Sequence, residues 1–262
     1  MIFQGRSISN GKAKGEVIKL EEPLSFLGGV DGSTGDLRVR DGNVAGKILV
    51  FPKGKGSTVG SYVMYDLMVH GKEPAAVINE SAETIVATGA VISSIPMVDR
   101  IPSVRLFEDG DIVTVDATAG TVDIEGIAYK EVVSSVVSKG DRCILEKRPD
   151  RCHSYPGHWS LVAGKVEPGE TPVKAARREI REETSIEVGE PLGTMEPLYV
   201  REGKTLFKVY PFHFDAGDQE VVLNEENESY VWASVEDAEK MRTVTDTVLV
   251  MSTFLLKDIN KA

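Results

Sequence analysis

The sequence predicts a two-domain protein of the α/β and α+β classes, in which each half mixes strands with helices. Its 262 residues are enough for two domains that each bury a hydrophobic core. Alternating and helix-spaced apolar patterns run through the first half and begin afresh after Gly126, with little linker. We therefore expect domains at residues 1–127 and 128–262.

The composition is typical of a cytoplasmic globular protein. Apolar residues make up 41% of the chain and charged residues 27%, and the net charge is −11 without a basic run. This acidic balance argues against a nucleic-acid partner and against an anionic membrane surface. We expect no membrane segment and no signal peptide, because no apolar stretch has the required length.

The cysteine count limits the metal chemistry of this chain. Its two cysteines, Cys143 and Cys152, form no CxxC pair, so neither a disulfide framework nor a zinc site is expected. An iron–sulfur cluster held by four cysteines cannot be built from this chain alone.

The first half contains a strand–helix–strand unit. Short apolar runs at 46–52 and 75–80 flank a helical pattern that starts near Val59 and ends at His70-Gly71. Such a crossover predicts a parallel pair of strands. We expect a further strand at 90–98.

The end of the first half predicts a β-hairpin. Residues 110–126, "GDIVTVDATAGTVDIEG", read as two alternating strands about a turn at 118–120.

A glycine-rich loop precedes the predicted helix of the first half. Residues 53–57 read "KGKGS", which lacks the spacing of a nucleotide P-loop. Free N–H groups at a helix N-terminus, with two lysines beside them, favour a phosphate or a carboxylate. Ser57 or Thr58 is expected to be the N-cap, and Ser57 could instead face a ligand.

The second half predicts a strand-rich domain with two helices. Residues 129–148 alternate about a turn at 139–141, and 198–214 read as further strands. Thr171-Pro172 marks the start of a helix that should end near 184, and a C-terminal helix is expected from about 246 to 256.

Three carboxylates share one face of the first of these helices. Glu179, Glu182 and Glu183 stand at i, i+3 and i+4, where their repulsion costs roughly 0.2–0.5 kcal/mol per pair. The alternative is a solvated face on which they pair with neighbouring arginines. A divalent cation would compensate the repulsion, and oxygen ligands favour Mg²⁺ or Mn²⁺.

Residues 164–186, "GKVEPGETPVKAARREIREETSI", resemble the Nudix box, G-x5-E-x7-R-E-U-x-E-E-x-G-U, with Ser185 at the second glycine. The matching positions are Gly164, Glu170, Arg178, Glu179, Ile180, Glu182, Glu183 and Ile186. The resemblance implies that 128–262 form a Nudix α/β/α sandwich that hydrolyses a nucleoside diphosphate linked to another moiety.

The resemblance also implies a ligand set and catalytic residues. Glu179, Glu182 and Glu183, with the backbone at Gly164, would hold Mg²⁺ or Mn²⁺, and Glu182 and Glu183 would be catalytic. A general base could come from the acidic segment 224–229, where the sequence leaves three candidates open, namely Glu225, Glu226 and Glu228. ADP-ribose, a nucleoside triphosphate and an isoprenoid diphosphate are all open as substrates.

Several separate blocks across residues 2–126 resemble the small subunit of the aconitase X family. They include "SFLGGVDGSTG", "AGKILVFPKGKGSTVGS" and "DGDIVTVDATAGTVDI". The resemblance implies an aconitase-like swivelling β/β/α domain that dehydrates (R)-5-phosphomevalonate to trans-anhydromevalonate 5-phosphate. The segment 33–44 is shorter here than in the family.

The roles that this second resemblance implies fall on two loops. Ser57 would be the catalytic base, and Gly54, Lys55 and Gly56 would bind substrate. Residues 25–31 would line the pocket through Gly28, Gly29 and Asp31. The family's iron–sulfur cluster lies on a large subunit, so we expect a heterodimer. Two alternatives are a hydroxyproline substrate and a sensor module that regulates the Nudix domain.

Overall fold

The computed structural model describes residues 1–152 and 154–256. Clustering of spatial neighbours gives two compact units, the first comprising Met1–Ala128 with Arg201–Leu206 and the second beginning at Tyr129 and comprising the rest. No helix of the described residues is both long enough and apolar enough to cross a membrane.

The first unit is built on one mixed sheet of eight strands, in the order β1-β8-β7-β3-β4-β5-β6-β2. The strands are β1 (Ile2–Gln4), β2 (Arg6–Ser9), β3 (Lys12–Lys19), β4 (Ile48–Lys53), β5 (Ala76–Ser81), β6 (Met97–Asp99), β7 (Ile112–Asp116) and β8 (Thr121–Ile124). The helices are α1 (Phe26–Gly29), α2 (Gly60–Val69) and α3 (Thr84–Ile92), with a 3-10 turn at Val104–Leu106.

Strand β3 joins two parts of this sheet. Its residues 12–16 pair antiparallel with β7, and its residues 17–19 pair parallel with β4. Strands β4 and β5 are parallel, and β7 and β8 form an antiparallel hairpin. The predicted parallel pair and the predicted hairpin are therefore both confirmed.

The predicted strand at 90–98 is wrong over most of its length. Helix α3 continues to Ile92, and β6 begins only at Met97. The Glu83 side chain caps the start of α3 by accepting a hydrogen bond from the backbone N–H of Ile85 at 3.1 Å. A short apolar run has no periodicity that separates a buried helix from a strand, and here the cap and the packing against α2 decide for the helix.

The second unit has one sheet with helices on both faces. Its strands are β9 (Ala128–Lys139), β10 (Arg142–Lys147), β11 (Trp159–Ser160), β12 (Val162–Lys165), β13 (Gly193–Thr194), β14 (Leu198–Glu202), β15 (Thr205–Asp215) and β16 (Ser229–Ala233). The helices are α4 (Pro172–Thr184), α5 (Val235–Ala238) and α6 (Thr247–Leu255).

Two core clusters lie on opposite faces of this second sheet. Ala176 and Ile180 of α4 pack with Val133 and Ile144, whereas Met251 of α6 packs with the neighbouring strand residues that point the other way. Successive strand side chains alternate between faces, so each face receives its own helix layer. This arrangement confirms the predicted α/β/α sandwich.

Candidate functional sites

A parallel bridge brings the two predicted substrate loops of the first unit together. Leu24 pairs with Gly54, since the N–H of Leu24 donates to the carbonyl of Lys53 at 3.1 Å and the N–H of Lys55 donates to the carbonyl of Leu24 at 2.9 Å. A Cβ on Gly54 would lie 2.5 Å from Val86, so glycine permits this close approach. The segment after Leu24 therefore lies beside the "KGKGS" loop.

The α1 segment is a turn rather than a continuous helix. Leu27 has φ −65° and ψ 113°, and Gly28 has φ 82° and ψ −13°, which are the angles of a type II turn. No atom lies within 4 Å of a Cβ built on Gly28, so its backbone conformation, and not space, requires glycine there. This turn sets the position of Gly28 and Gly29.

Ser57 is exposed and precedes α2, but neither it nor Thr58 is the N-cap, so that prediction is wrong. The N-cap is Val59, whose own backbone is helical, because residues 57–60 form a preceding turn closed by a 2.8 Å bond from Gly60 to the Ser57 carbonyl. The Ser57 Oγ accepts from the Val59 N–H at 3.3 Å. Within the described part of the chain, the N–H groups of Gly56 and Ser57 have no hydrogen-bond acceptor.

A cavity of about 680 Å³ opens beside the turn at Gly28. Gly28, Gly29 and Lys55 line it, so three of the predicted substrate residues meet there, while Gly54, Gly56, Ser57 and Asp31 are not among its lining residues. Two further cations, Lys19 and Arg40, also line the cavity.

The cations of this cavity differ in their pairing. Arg40 pairs with Asp109 at 2.6 Å, and Lys19 pairs with Glu21 at 2.6 Å. Lys55 has no ion-pair partner among the residues that the structure describes. Lys55 is therefore the cation of the lining without a carboxylate partner, but the lining also carries Glu21, Glu22, Glu108 and Asp109 and is not positively charged overall. The sequence did not predict Lys19 and Arg40 as lining residues, because contacts between residues far apart in the chain bring them to the cavity.

The carboxylate of Asp31 is hydrogen-bonded within its own loop. Its carboxylate accepts hydrogen bonds from the Ser33 hydroxyl at 2.7 Å and from Arg38 at 2.7 Å, and these bonds hold the pKa of Asp31 well below its usual range. The short segment 33–44 then folds back through a bridge between Val30 and Leu37. Asp31 thus shapes the loop that carries Arg40.

In the second unit, α4 begins and ends where the sequence predicts. Thr171 is the N-cap and Pro172 the first helical residue, although the Thr171 side chain makes no capping hydrogen bond. Ser185 follows the helix with φ 60°, in the left-handed region that favours glycine. The serine therefore occupies the position where the Nudix pattern has glycine, and it changes the strain of the turn and not the carboxylates.

Arg178 holds three carboxylates of this segment. It bonds both oxygens of Glu170, at 3.2 and 3.1 Å, and its Nη1 donates to Glu179 at 2.7 Å and to Glu182 at 3.1 Å. A fifth bond, from Nη2, reaches the carbonyl of Lys165 at 2.9 Å. The guanidinium therefore fixes the loop after β12 against the helix.

Gly164 forms the surface on which Glu179 lies. A Cβ built on Gly164 would overlap the carboxyl group of Glu179, so any other residue would displace this carboxylate. Burial raises the pKa of Glu179, and Arg178 counteracts that effect. The predicted neighbours Glu179 and Gly164 are thus in contact.

Glu183 is buried and faces Glu146, a residue that the sequence reasoning missed. Glu183 accepts a hydrogen bond from the Ala163 N–H at 3.3 Å, and burial together with the charge of Glu146 raises its pKa. Burial raises the pKa of Glu146 as well. A signal was present, because Glu146 is a charged residue that continues the apolar run "CIL" of β10.

The acidic segment 224–229 approaches the same carboxylates. Asn227 donates to Glu146 at 3.0 Å, and the charge of Glu226 contributes to raising the pKa of both Glu146 and Glu179. Glu228 instead pairs with Lys147 at 3.3 Å. The charge of Glu226 therefore acts on Glu179 of α4 and on Glu146 of β10.

These groups fit a hard divalent cation. Among the described residues, no three histidine, cysteine, aspartate or glutamate side chains already stand in a metal-binding arrangement, and Arg178 engages Glu179 and Glu182. However, Oε1 of Glu146 is buried without a hydrogen-bond partner, and carboxylate oxygens are ligands that Mg²⁺ and Mn²⁺ prefer. A Nudix domain generally uses a divalent metal.

Comparison with known proteins divides the chain in the same way as the sequence blocks. Residues 2–124 match the family model of the aconitase X swivel domain, and residues 128–250 match that of the NUDIX domain. The phosphomevalonate dehydratase small subunit of Thermococcus kodakarensis is 56% identical over 129 residues, which cover 47% of this chain and 96% of that protein.

Solved structures match each half. The crystal structure of Thermococcus kodakaraensis aconitase X in its holo-form is 55% identical, with a TM-score of 0.46, and covers 47% of this chain and 98% of that one. The MutT protein from Methanosarcina mazei Go1 is 26% identical, with a TM-score of 0.43, and covers 52% of this chain and 98% of that one.

Both resemblances predicted from the sequence are confirmed, and both point to enzymes. Through its first half the chain belongs to the aconitase X swivel-domain family, and in its second half it carries a Nudix domain.

Proposed function

We propose that the first half is the small subunit of a hydro-lyase that dehydrates (R)-5-phosphomevalonate to trans-anhydromevalonate 5-phosphate. The identity with a phosphomevalonate dehydratase small subunit over nearly its whole length supports this substrate. The structural observation that carries the proposal is the bridge between Leu24 and Gly54, which brings the "KGKGS" loop, with Lys55 and the free N–H groups of Gly56 and Ser57, beside the segment that leads to Gly28 and Gly29. These donors suit the carboxylate or the phosphate of such a substrate.

The "KGKGS" loop would supply the base and the anion contacts. Ser57, as its alkoxide, would take the proton α to the substrate carboxylate, and the electron pair of that C–H bond would form the double bond as hydroxide leaves. The free N–H groups of Gly56 and Ser57, with Lys55, would stabilise negative charge near this serine. An iron–sulfur cluster on a large subunit would supply the Lewis acid for the hydroxide.

An exposed apolar face supports a heterodimer with such a large subunit. Val59 at the N-cap of α2, and Tyr62 and Val69 within it, are 44%, 69% and 59% exposed and lie within an arc of about 80°. Exposed apolar patches of this kind mark interaction surfaces in soluble proteins. This face begins two residues after Ser57, so a partner seated on it would stand beside the proposed base.

The test combines co-purification with one substitution. Tagged chain isolated anaerobically should bring down an iron–sulfur protein in near-stoichiometric amount, and that complex should turn over phosphomevalonate. Ser57→Ala should retain the partner and lower kcat by about 10²–10⁴-fold, whereas Ser61→Ala on the adjacent turn of α2 should leave it unchanged. A complex that turns over only a hydroxyproline would replace the substrate, and a chain that binds phosphomevalonate without any partner would indicate a sensor module.

We propose that the second half is a Mg²⁺- or Mn²⁺-dependent hydrolase of a substituted diphosphate. Glu179, Glu182 and Glu183, with the carbonyl at Gly164, would hold the ion, which when bound neutralises the diphosphate and activates water. Glu182 and Glu183 are the proposed catalytic pair, and Glu226 is the candidate base favoured by its approach to these groups. The diphosphate linkage is common to ADP-ribose, nucleoside triphosphates and isoprenoid diphosphates.

Hydrolysis is tested with Glu182→Gln in the full chain. Glu182 is half exposed, so the substitution should leave the fold intact and lower kcat by about 10²-fold or more. Glu190→Gln is the matched control, because Glu190 is exposed and, among the described residues, its one ion pair is with Arg177. Chromatography of the products from each substrate class, with and without Mg²⁺, identifies the substrate by the two phosphorylated products of the cleaved diphosphate. Equal activity of Glu182→Gln and the parent would contradict the proposed site.

A further inference from the structure

Glu146 is a buried carboxylate whose surroundings do not explain it as a structural group. Its side chain is 1% exposed, and the residues opposite it in the sheet are Ser160 and Tyr230. Its Oε2 accepts the 3.0 Å bond from Asn227, while Oε1 has no hydrogen-bond partner. A buried charge left without compensation destabilises a fold, so we expect a bound group to contact Oε1.

Glu183 provides a second carboxylate, and no basic side chain lies between the two. Glu183 is 7% exposed, accepts a hydrogen bond from the Ala163 N–H, and lies within hydrogen-bonding reach of Glu146. Within the described residues no lysine or arginine pairs with either glutamate, since Arg178 is engaged by Glu170, Glu179 and Glu182. Two carboxylates that face each other in a protein interior require a proton or a cation between them.

The neighbouring groups favour the cation. Glu179 and Glu183 lie against consecutive backbone positions, Gly164 and Ala163, so the pocket of Glu146 adjoins the carboxylate that rests on the glycine. A shared proton would stabilise the two carboxyl groups, but two apolar side chains of the same size at these positions would give a more stable fold. Asn227 further holds Glu146 by one oxygen and leaves the other buried without a hydrogen-bond partner among the described residues.

We propose that Glu146 of β10 is a further ligand of the divalent cation, so that the metal centre extends from helix α4 onto the strand beneath it. This inference rests on the proposed metal-dependent function of the second half. It assigns the ion a ligand outside the Nudix pattern, from a strand whose backbone is fixed by pairing on both of its edges.

The proposal is tested by binding of Mn²⁺ alone to the full chain. Glu146→Gln keeps the shape and removes the charge, and calorimetry or electron paramagnetic resonance should show at least about 10-fold weaker binding than the parent. The metal-free unfolding temperature should rise, because the amide can donate to Glu183. The shift of that temperature on adding Mn²⁺ should shrink.

Glu190→Gln is the control, since Glu190 is exposed, pairs with Arg177 and has no part in the proposed site. It should bind Mn²⁺ like the parent. Glu146→Asp, which keeps the charge but withdraws the oxygens by one methylene, should also weaken binding and serves if the glutamine variant does not fold.

Three results would overturn the inference in distinguishable ways. Parent-like Mn²⁺ affinity in Glu146→Gln would reduce Glu146 to a structural carboxylate. Parent-like affinity in Glu146→Asp would show that the position of its oxygens is immaterial. Absence of Mn²⁺ binding by the parent would contradict both this inference and the metal-dependent hydrolase.

Discussion

Asp99 shows how a single buried charge is accommodated in the first unit. Its side chain is 1% exposed, and burial alone would raise its pKa. Two hydrogen bonds from Arg6, at 2.9 and 2.7 Å, and one from the Ala82 N–H at 3.0 Å outweigh that effect, so the pKa of Asp99 lies below its ordinary value. The pair ties β2 to the end of β6.

Asp99→Asn is expected to lower the free energy of unfolding at pH 7 by roughly 1–3 kcal/mol, since charged hydrogen bonds are lost. A lowered folded-state pKa gives stability that is present above the unfolded value, about 3.9, and is lost as pH falls through the folded value. Urea unfolding of the two proteins should therefore differ by a constant amount between pH 5 and 7 and converge below about pH 4. A difference independent of pH would contradict this account.

At the scale of the element, the backbone at the end of α4 is strained, because a serine stands there in a conformation that favours glycine. Ser185 adopts φ 60°, and a left-handed conformation costs a non-glycine residue about 1–2 kcal/mol. Its hydroxyl recovers part of this through a 3.1 Å bond to the carbonyl of Val222.

Two substitutions at Ser185 separate the backbone from the hydroxyl. Ser185→Gly and Ser185→Ala both remove the bond to Val222, so the difference between them reports the conformation alone. We expect the glycine variant to be more stable than the alanine variant by about 1 kcal/mol in chemical unfolding. Equal stabilities would show that the turn relaxes in one of them.

The elements that the sequence predicted well are those with local signals. Thr171-Pro172 and the polar turn after Thr184 delimit α4, and alternation defines β7, β8, β9 and β10. The failure at 90–98 came from an apolar run in which a helix and a strand look alike, and tertiary packing decided between them.

At the scale of the whole molecule, some parts of the sites can be predicted from neighbouring residues in the sequence, and others depend on contacts between distant residues. The helix carboxylates could be read from spacing, and the "KGKGS" loop from its glycines and lysines. The cavity could not, because a bridge between Leu24 and Gly54 and a pair between Arg40 and Asp109 assemble it across 30 and 69 positions of the chain. Glu146 likewise joins the α4 carboxylates only through the packing of a strand under a helix.

The eight-stranded sheet of the first unit has a consequence for the order in which this chain folds during synthesis. Strand β1 finds its partner only in β8, and the first five residues of β3 pair with β7, about a hundred positions later. Pairing across such long loops is slow, and it cannot begin before the later strand exists. Strand β1 and the first part of β3 therefore remain without these partners until residue 124 has been made. Translation has by then reached the start of the Nudix half.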